Sequence, residues 1–174
     1  FVQALSECAP VCPQFHLALQ SGSDAVLRRM KRCYNTEQFR QAAARLRAAW
    51  PLAAFTTDVI VGFPGETEAQ FEDTLSLVRE VRYDSAFTFI YSKRAGTKAA
   101  QMPDPTPQEE KTERIQRLIA LQTEITSEIL SSQVGKRETV LVESVSARDE
   151  GWVGGKTPRG HMVNFPGNAD LIGK

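Results

Sequence analysis

The sequence predicts an α/β fold, the C-terminal part of a (β/α) barrel, followed by a small all-β domain. Three observations carry that prediction. Across residues 15–92, apolar runs of strand type alternate with segments whose apolar residues recur every three to four positions, the order expected of a parallel sheet or a (β/α) barrel. The runs AAFTTDVIVG (53–62) and SAFTFIYS (85–92) are rich in β-branched and aromatic residues, and the first shows little alternation, as a strand covered on both faces does. From Val134 onward the period changes to two, in short stretches separated by Gly, Asp and Pro.

Each element has a local reason. FHLALQ (15–20) reads as the first strand, and the polar QSGSD after it as the turn into a short helix bearing Val26, Leu27 and Met30. Asn35 or Thr36 caps a second helix whose Phe39, Ala42, Ala43, Leu46 and Trp50 share one face, and Pro51 ends it. After the 53–62 strand, Thr67 and Gln70 form a capping box for a third helix with Phe71, Leu75, Val78 and Val81 on its stripe. The 85–92 strand leads into a loop, SKRAGTKAAQMPDPTP. Thr106, Pro107 and Glu109 supply the N-cap, first helical position and capping-box acid of a long helix. Its apolar face is Ile115, Leu118, Ile119, Ile125 and Ile129, and it ends before Gly135. The predicted division is 1–133 for the α/β part and 134–174 for the β part, whose strands are RETVLVES, EGWVGGKTP and GHMVNF. So short a sheet buries little core of its own and is expected to lean on the preceding domain or to continue beyond Lys174.

Composition narrows the function. The chain has 174 residues, 41% hydrophobic and 24% charged, which suits one medium domain with an appendix. Basic and acidic residues balance at 21 each, so any grip on nucleic acid must come from a local patch rather than from net charge. There is no apolar run near the roughly 18 residues a membrane span requires, and the first residues, FVQALSECAP, lack a signal-peptide pattern, so the expected compartment is the cytoplasm. Three cysteines, an odd number, argue for a reducing environment rather than a disulfide framework. The chain lacks an initiator Met and stops after an apolar pair, and the expectation is a fragment at both ends.

In a parallel α/β domain the ligand site lies beyond the carboxyl ends of the strands, and three strand ends here carry polar or glycine signatures. They are QSGSD (20–24), GFPGET (62–67) and YSKRAGT (91–97). GFPGET is neither a phosphate loop nor a dinucleotide fingerprint. Gly62 and Gly65 permit close backbone approach, Pro64 stiffens the turn and Glu66 precedes a helix start; a ligand wall and a plain tight turn both account for this. Gln20, Ser21 and Ser23 present hydrogen-bonding groups beside a helix N-terminus, and Ser23 equally suits a cap. Lys31 and Arg32 read as solvated charges or as anion contacts. Cys8 and Cys12 are spaced C-x-x-x-C, but Phe15 stands where a third cluster cysteine belongs, so no metal site is expected. His16 reads as a satisfied strand histidine. In the β part, Lys136, Arg137, Lys156, Arg159 and His161 are interleaved with Trp152 and Phe165, a pattern that fits an RNA-contacting barrel or an ordinary polar sheet face.

Together, HLALQSGSD, TTDVIVGFPGETE, FTFIYSKRAGTKAA and the closing GHMVNFPG resemble one family, the radical S-adenosylmethionine (radical SAM) methylthiotransferases. The match is to their C-terminal part and runs over nearly the whole chain, and the QSGSD and FTFIYS forms favour the tRNA-acting members. The resemblance implies a partial TIM-type radical SAM barrel, an incomplete TRAM barrel, and an enzyme adding a methylthio group to C2 of N6-isopentenyladenosine 37 in the tRNA anticodon stem-loop. It further implies SAM and two 4Fe-4S clusters whose cysteine ligands are absent from this chain, a monomer when full length, and no activity for the chain alone. Carried over by position, Gln20, Ser21, Ser23, Arg32, Asp58, Ile60, Gly62, Glu66, Tyr91 and Ser92 would line the SAM pocket, with none a general acid or base. Relatives acting on threonylcarbamoyladenosine in tRNA or on a ribosomal protein, and a non-catalytic RNA-binding module, are the alternatives.

Overall fold

The computed structural model describes residues 2–8, 11–147 and 150–174. Three parallel strands, β1 (Gln14–His16), β2 (Ala54–Val61) and β3 (Ser85–Ile90), form a sheet with β2 in the centre. The crossovers are α2 (Asp24–Arg29) and α3 (Thr36–Ala49) between the first two strands and α4 (Glu68–Val81) between the second pair, as a strand-helix-strand order requires. A short α1 (Val2–Ser6), without a sequence signal, precedes them, and α5 (Gln108–Ser131) packs against β3 and α4. None of the helices among the described residues is long and apolar enough to cross a membrane.

The caps form where the sequence places them. Asn35 and Thr67 each accept the backbone N–H three residues on, and Gln38 and Gln70 return the bond. Ser23 occupies the N-cap position of α2 but makes no side-chain cap, and the long helix starts one residue later than expected, after Pro107, without Thr106 as cap.

The first strand is shorter than FHLALQ suggests. Leu17 N–H still reaches Thr56 O at 2.8 Å, but Leu19 N–H goes to Thr57 Oγ1 at 3.0 Å, and Tyr34 Oη donates to Ala18 O at 2.8 Å. Side chains thus replace ladder bonds, and the pairing resumes only at Gln20, which bridges Val59.

The central strand is not covered on both faces. Phe55, Thr57, Val59 and Val61 are buried under the helices with Leu19, Phe71, Leu77, Val78, Tyr83 and Leu118. Thr56, Asp58 and Ile60 point the other way and are only half-buried, beside Phe87 and Phe89, which are 59% and 52% exposed. Ala42 and Ile119 also lie outside the core, because Ala43 and Leu118 take the inward positions of their helices.

Strands β4 (Leu141–Val145), β5 (Trp152–Lys156) and β6 (Met162–Pro166) form an antiparallel sheet around Val142 and Val153. It leans on the α/β part as so small a core requires. The turn between its last two strands, residues 157–161, sits at the amino-terminal ends of the parallel strands. His161 Nε2 lies 2.8 Å from Asp84 Oδ1, and a Cβ on Gly160 would fall 2.5 Å from the Gln14 side chain.

Candidate functional site

The parallel strands run toward one rim, and at that rim lies a cleft of about 510 Å³. Gln20 reaches it because its backbone turns left-handed, at φ 65°, while still pairing on both sides: its N–H donates to Asp58 O and its carbonyl accepts from Ile60 N. A non-glycine residue in that region costs about 1 kcal/mol or more, which the two β-bridge bonds offset. The Gln20 Oε1 atom then accepts from Arg32 Nη2 at 2.9 Å. Asp58 and Ile60 come from the half-open face of β2, and Asp58 Oδ2 lies 3.4 Å from His16 Nε2. Tyr91 and Ser92 follow β3, and Phe89, Ile90, Arg94, Thr97 and Ala99 complete the lining. Tyr91 stacks edge-on against Phe63 at 5.1 Å, and its hydroxyl is buried without a hydrogen-bond partner.

Six of the ten sequence-derived cofactor residues therefore meet in one cleft: Gln20, Arg32, Asp58, Ile60, Tyr91 and Ser92. Ser21, Ser23, Gly62 and Glu66 do not line it. Ser21 is fully buried, and its Oγ accepts from Ser23 N at 3.2 Å. Gly22 between them approaches α4 so closely that a Cβ would stand 2.5 Å from Thr74 Cα. Ser23 opens instead onto a shallow polar hollow with Asp24, Thr36 and Arg40.

Gly62 and Glu66 form a clamp behind the cleft. Glu66 is buried and its carboxylate accepts from Gly62 N at 2.6 Å. Burial pushes the Glu66 carboxyl above its ordinary range, against the opposing pull of that N–H and of Arg114. Arg114, also buried, donates to Glu66 O at 3.1 Å and to Glu68 at 2.9 Å, and also reaches Glu110. The Lys111 stem covers Gly62, which has φ +71°, and its ammonium meets Asp104 at 2.6 Å in a buried pair. Sequence reading missed Lys111 and Arg114, because basic residues on a long helix resemble a solvated face. Arg94 and Thr97 were legible only as parts of the YSKRAGT strand end.

Among the described residues, no group of three or more His, Cys, Asp or Glu could hold a metal ion, and Cys8, Cys12 and Cys33 are each exposed. Of the basic residues expected to face RNA, Lys136 and Arg137 are exposed, whereas Lys156 pairs with Glu143 at 3.2 Å. Arg159 is nearly buried, donating to Glu138 at 2.6 Å and Gln133 at 2.7 Å, and His161 holds Asp84. Arg159 and His161 thus sit between the two parts of the chain rather than on an open face.

Residues 1–78 match the Radical SAM superfamily and residues 131–174 the TRAM domain. The chain is 47% identical, over 99% of its length, to tRNA-2-methylthio-N(6)-dimethylallyladenosine synthase of Carboxydothermus hydrogenoformans, and covers 39% of that protein. It is 46% identical to the synthase of the same name from Clostridium botulinum (strain Okra), again over 99% of this chain and over 38% of the relative. The chain thus spans about two fifths of the length of these curated relatives. Among solved structures, coproporphyrinogen III oxidase of Escherichia coli, a radical SAM enzyme, aligns with a TM-score of 0.54 at 25% identity, over 65% of this chain and 27% of its own. Part by part the chain is thus similar to the Radical SAM superfamily and the TRAM domain, in that order, and over its length to about two fifths of these tRNA-2-methylthio-N(6)-dimethylallyladenosine synthases.

Proposed function

We propose that the chain forms the cofactor wall and RNA-holding part of a cytoplasmic enzyme that adds a methylthio group to C2 of N6-isopentenyladenosine at position 37 of tRNA. The observation that carries this reading is the convergence of QSGSD, the central strand and YSKRAGT on one cleft at the carboxyl ends of the strands. The cleft suits an adenosyl group: Ile60 and Phe89 offer apolar faces, Gln20, Asp58 and Ser92 offer hydrogen bonds, and the Tyr91 hydroxyl awaits a partner. SAM supplies hydrogen abstraction and methyl transfer when bound. The chain's own residues bind and orient. Arg32 holds the Gln20 carboxamide, and the Glu66–Gly62 clamp fixes the turn that shapes the wall. Ser21, Ser23, Gly62 and Glu66 thereby act on the wall's shape and not by touching the cofactor.

The described residues offer no ligand set for an iron–sulfur cluster. The two clusters belong, in this reading, to the remainder of a monomeric full-length protein. We place the boundary between the domains at residues 133 and 134.

Two measurements test the reading. Mass spectrometry of tRNA nucleosides is applied to a strain that depends on a full-length protein carrying this sequence. The 2-methylthio-isopentenyladenosine product is expected; a threonylcarbamoyl derivative, or no tRNA product, refutes the substrate. The chain alone, reconstituted anaerobically with iron and sulfide, is expected to show neither cluster absorption near 400 nm nor SAM cleavage, and turnover there would refute the assignment of the clusters.

A further inference from the structure

Cations are distributed unevenly in this neutral chain. The stretch LRRMKRC (27–33) holds four basic residues and SKRAGTKAAQM (92–102) holds three, of 21 in all, and neither contains an acid. Elsewhere many basic side chains are spent, Arg40 on Glu80, Arg82 on Glu128, Arg117 on Glu68 and Lys156 on Glu143, and those without a partner among the described residues, Arg45, Arg79, Lys136, Arg137 and Lys174, do not line the cleft. Lys31, Arg94 and Lys98 are exposed, and none has an ion pair or side-chain hydrogen bond among the described residues.

These three lie at the cleft or at the hollow next to it. Arg94 lines the cleft, while Lys31 and Lys98 line an adjoining hollow of about 350 Å³ that shares Arg32, Ile60 and Tyr91 with it. Lys31 is held in place by a left-handed backbone, φ 60°, at the end of α2. The buried, unpartnered Tyr91 hydroxyl belongs to the shared wall. The 157–161 turn, with Arg159 and His161, sits at the opposite ends of the strands, roughly 26 Å away along the eight residues of β2.

We propose that Lys31, Arg94 and Lys98 are a phosphate-gripping rim, which holds the backbone of the RNA strand whose base enters the cleft. The proposal rests on the RNA substrate class given under Proposed function and moves the main electrostatic contact from the β domain to the mouth of the cleft. An unstacked base must leave its helix to reach such a cleft, and single-stranded RNA held by its phosphates next to a pocket satisfies that geometry. With no net charge on the chain, a polyanion is drawn to the local excess of cations rather than to the molecule as a whole.

The test is the salt dependence of binding of a fluorescent tRNA anticodon stem-loop to the chain. Removing one cation that pairs with a phosphate is expected to flatten the slope of log K against log salt by about 0.7 to 0.9. The triple variant K31Q/R94Q/K98Q should therefore flatten it by about 2 and weaken binding about a hundredfold at 0.1 M salt. K136Q/R137Q should move the slope by less than K31Q/R94Q/K98Q does. Circular dichroism checks that each variant keeps the wild-type fold. A slope unchanged in the rim variant overturns the proposal, as does a larger effect from K136Q/R137Q, or a wild-type chain that binds no RNA. Half-saturation by millimolar inorganic phosphate, without tighter binding to the stem-loop, would mark a free-phosphate site and also overturn it. SAM titration of wild type and rim variant separates this from the cofactor reading: loss of RNA binding with SAM binding kept supports the rim, whatever the nucleoside product proves to be.

Discussion

Arg114 is the most consequential side chain behind the cleft, and Arg114→Met tests why. The substitution keeps the stem and removes a guanidinium whose side chain is 2% exposed. Four things disappear at once: the donor to Glu66 O at 3.1 Å, the bond to Glu68 at 2.9 Å, the bond to Glu110, and the positive charge 3.9 Å from a Glu66 carboxylate that is itself 1% exposed. Glu68 is half-exposed and returns to water at little cost. Glu66 cannot, so the substitution strands a buried charge, for which about 3–5 kcal/mol is expected at neutral pH.

The pH dependence has a definite sign. The folded state already raises the Glu66 carboxyl above its ordinary value, chiefly through burial. A raised carboxyl favours the protonated form in the fold, so its contribution is fully present below the unfolded pKa and is lost as pH rises through the folded one. Removing Arg114 raises it further. The cost of R114M should therefore be smaller at pH 5 than at pH 7.5, and Glu66→Gln in the same chain should recover about 1–2 kcal/mol of it. Urea denaturation at both pH values measures these differences through the midpoint and slope. A cost under about 1 kcal/mol at pH 7.5, or no rescue by E66Q, would refute the view that Arg114 neutralises Glu66.

Three further outcomes follow from the packing. Gly22→Ala puts a Cβ 2.5 Å from Thr74 Cα, which is backbone, so α4 must retreat; a loss of about 1–3 kcal/mol in thermal unfolding is expected, and a change within about 0.5 kcal/mol would contradict the close approach. Tyr91→Phe removes a buried hydroxyl that has no partner, so stability should hold or rise, and a fall of more than about 1 kcal/mol would mean the hydroxyl is bonded in solution. His161→Ala breaks the 2.8 Å contact with Asp84 and should cost about 1–3 kcal/mol while speeding proteolysis within the exposed 134–139 segment; unchanged cleavage rates would show that the contact does not hold the β domain.

Much of the architecture follows from local chemistry. The alternation of β-branched runs with 3.6-period stripes, the Asn35 and Thr67 capping boxes, and the change to period two after Val134 each correspond to an observed element. The strand ends carrying the cleft were legible for the same reason: in a parallel sheet all carboxyl ends face one way, so polar and glycine-rich termini must meet. The sequence could not separate residues that face the cleft from residues that shape it. Ile60 and Gly62 are two positions apart, yet one lines the cleft and the other lies beneath the Lys111 stem, from a helix nearly 50 residues on.

Sequence by itself thus determined the class of fold, the order of its elements and the end of the sheet where the cleft lies, because periodicity, caps and strand direction are set within a few residues. Tertiary structure alone decided which charges are free. Lys111, Arg114, Arg159 and His161 look like surface charges in the chain but are tied by partners distant in sequence, whereas Lys31, Arg94 and Lys98 are not. The physical reason is that ion pairing depends on which surfaces the fold brings together, and no local pattern encodes a partner that lies seven to 77 residues away.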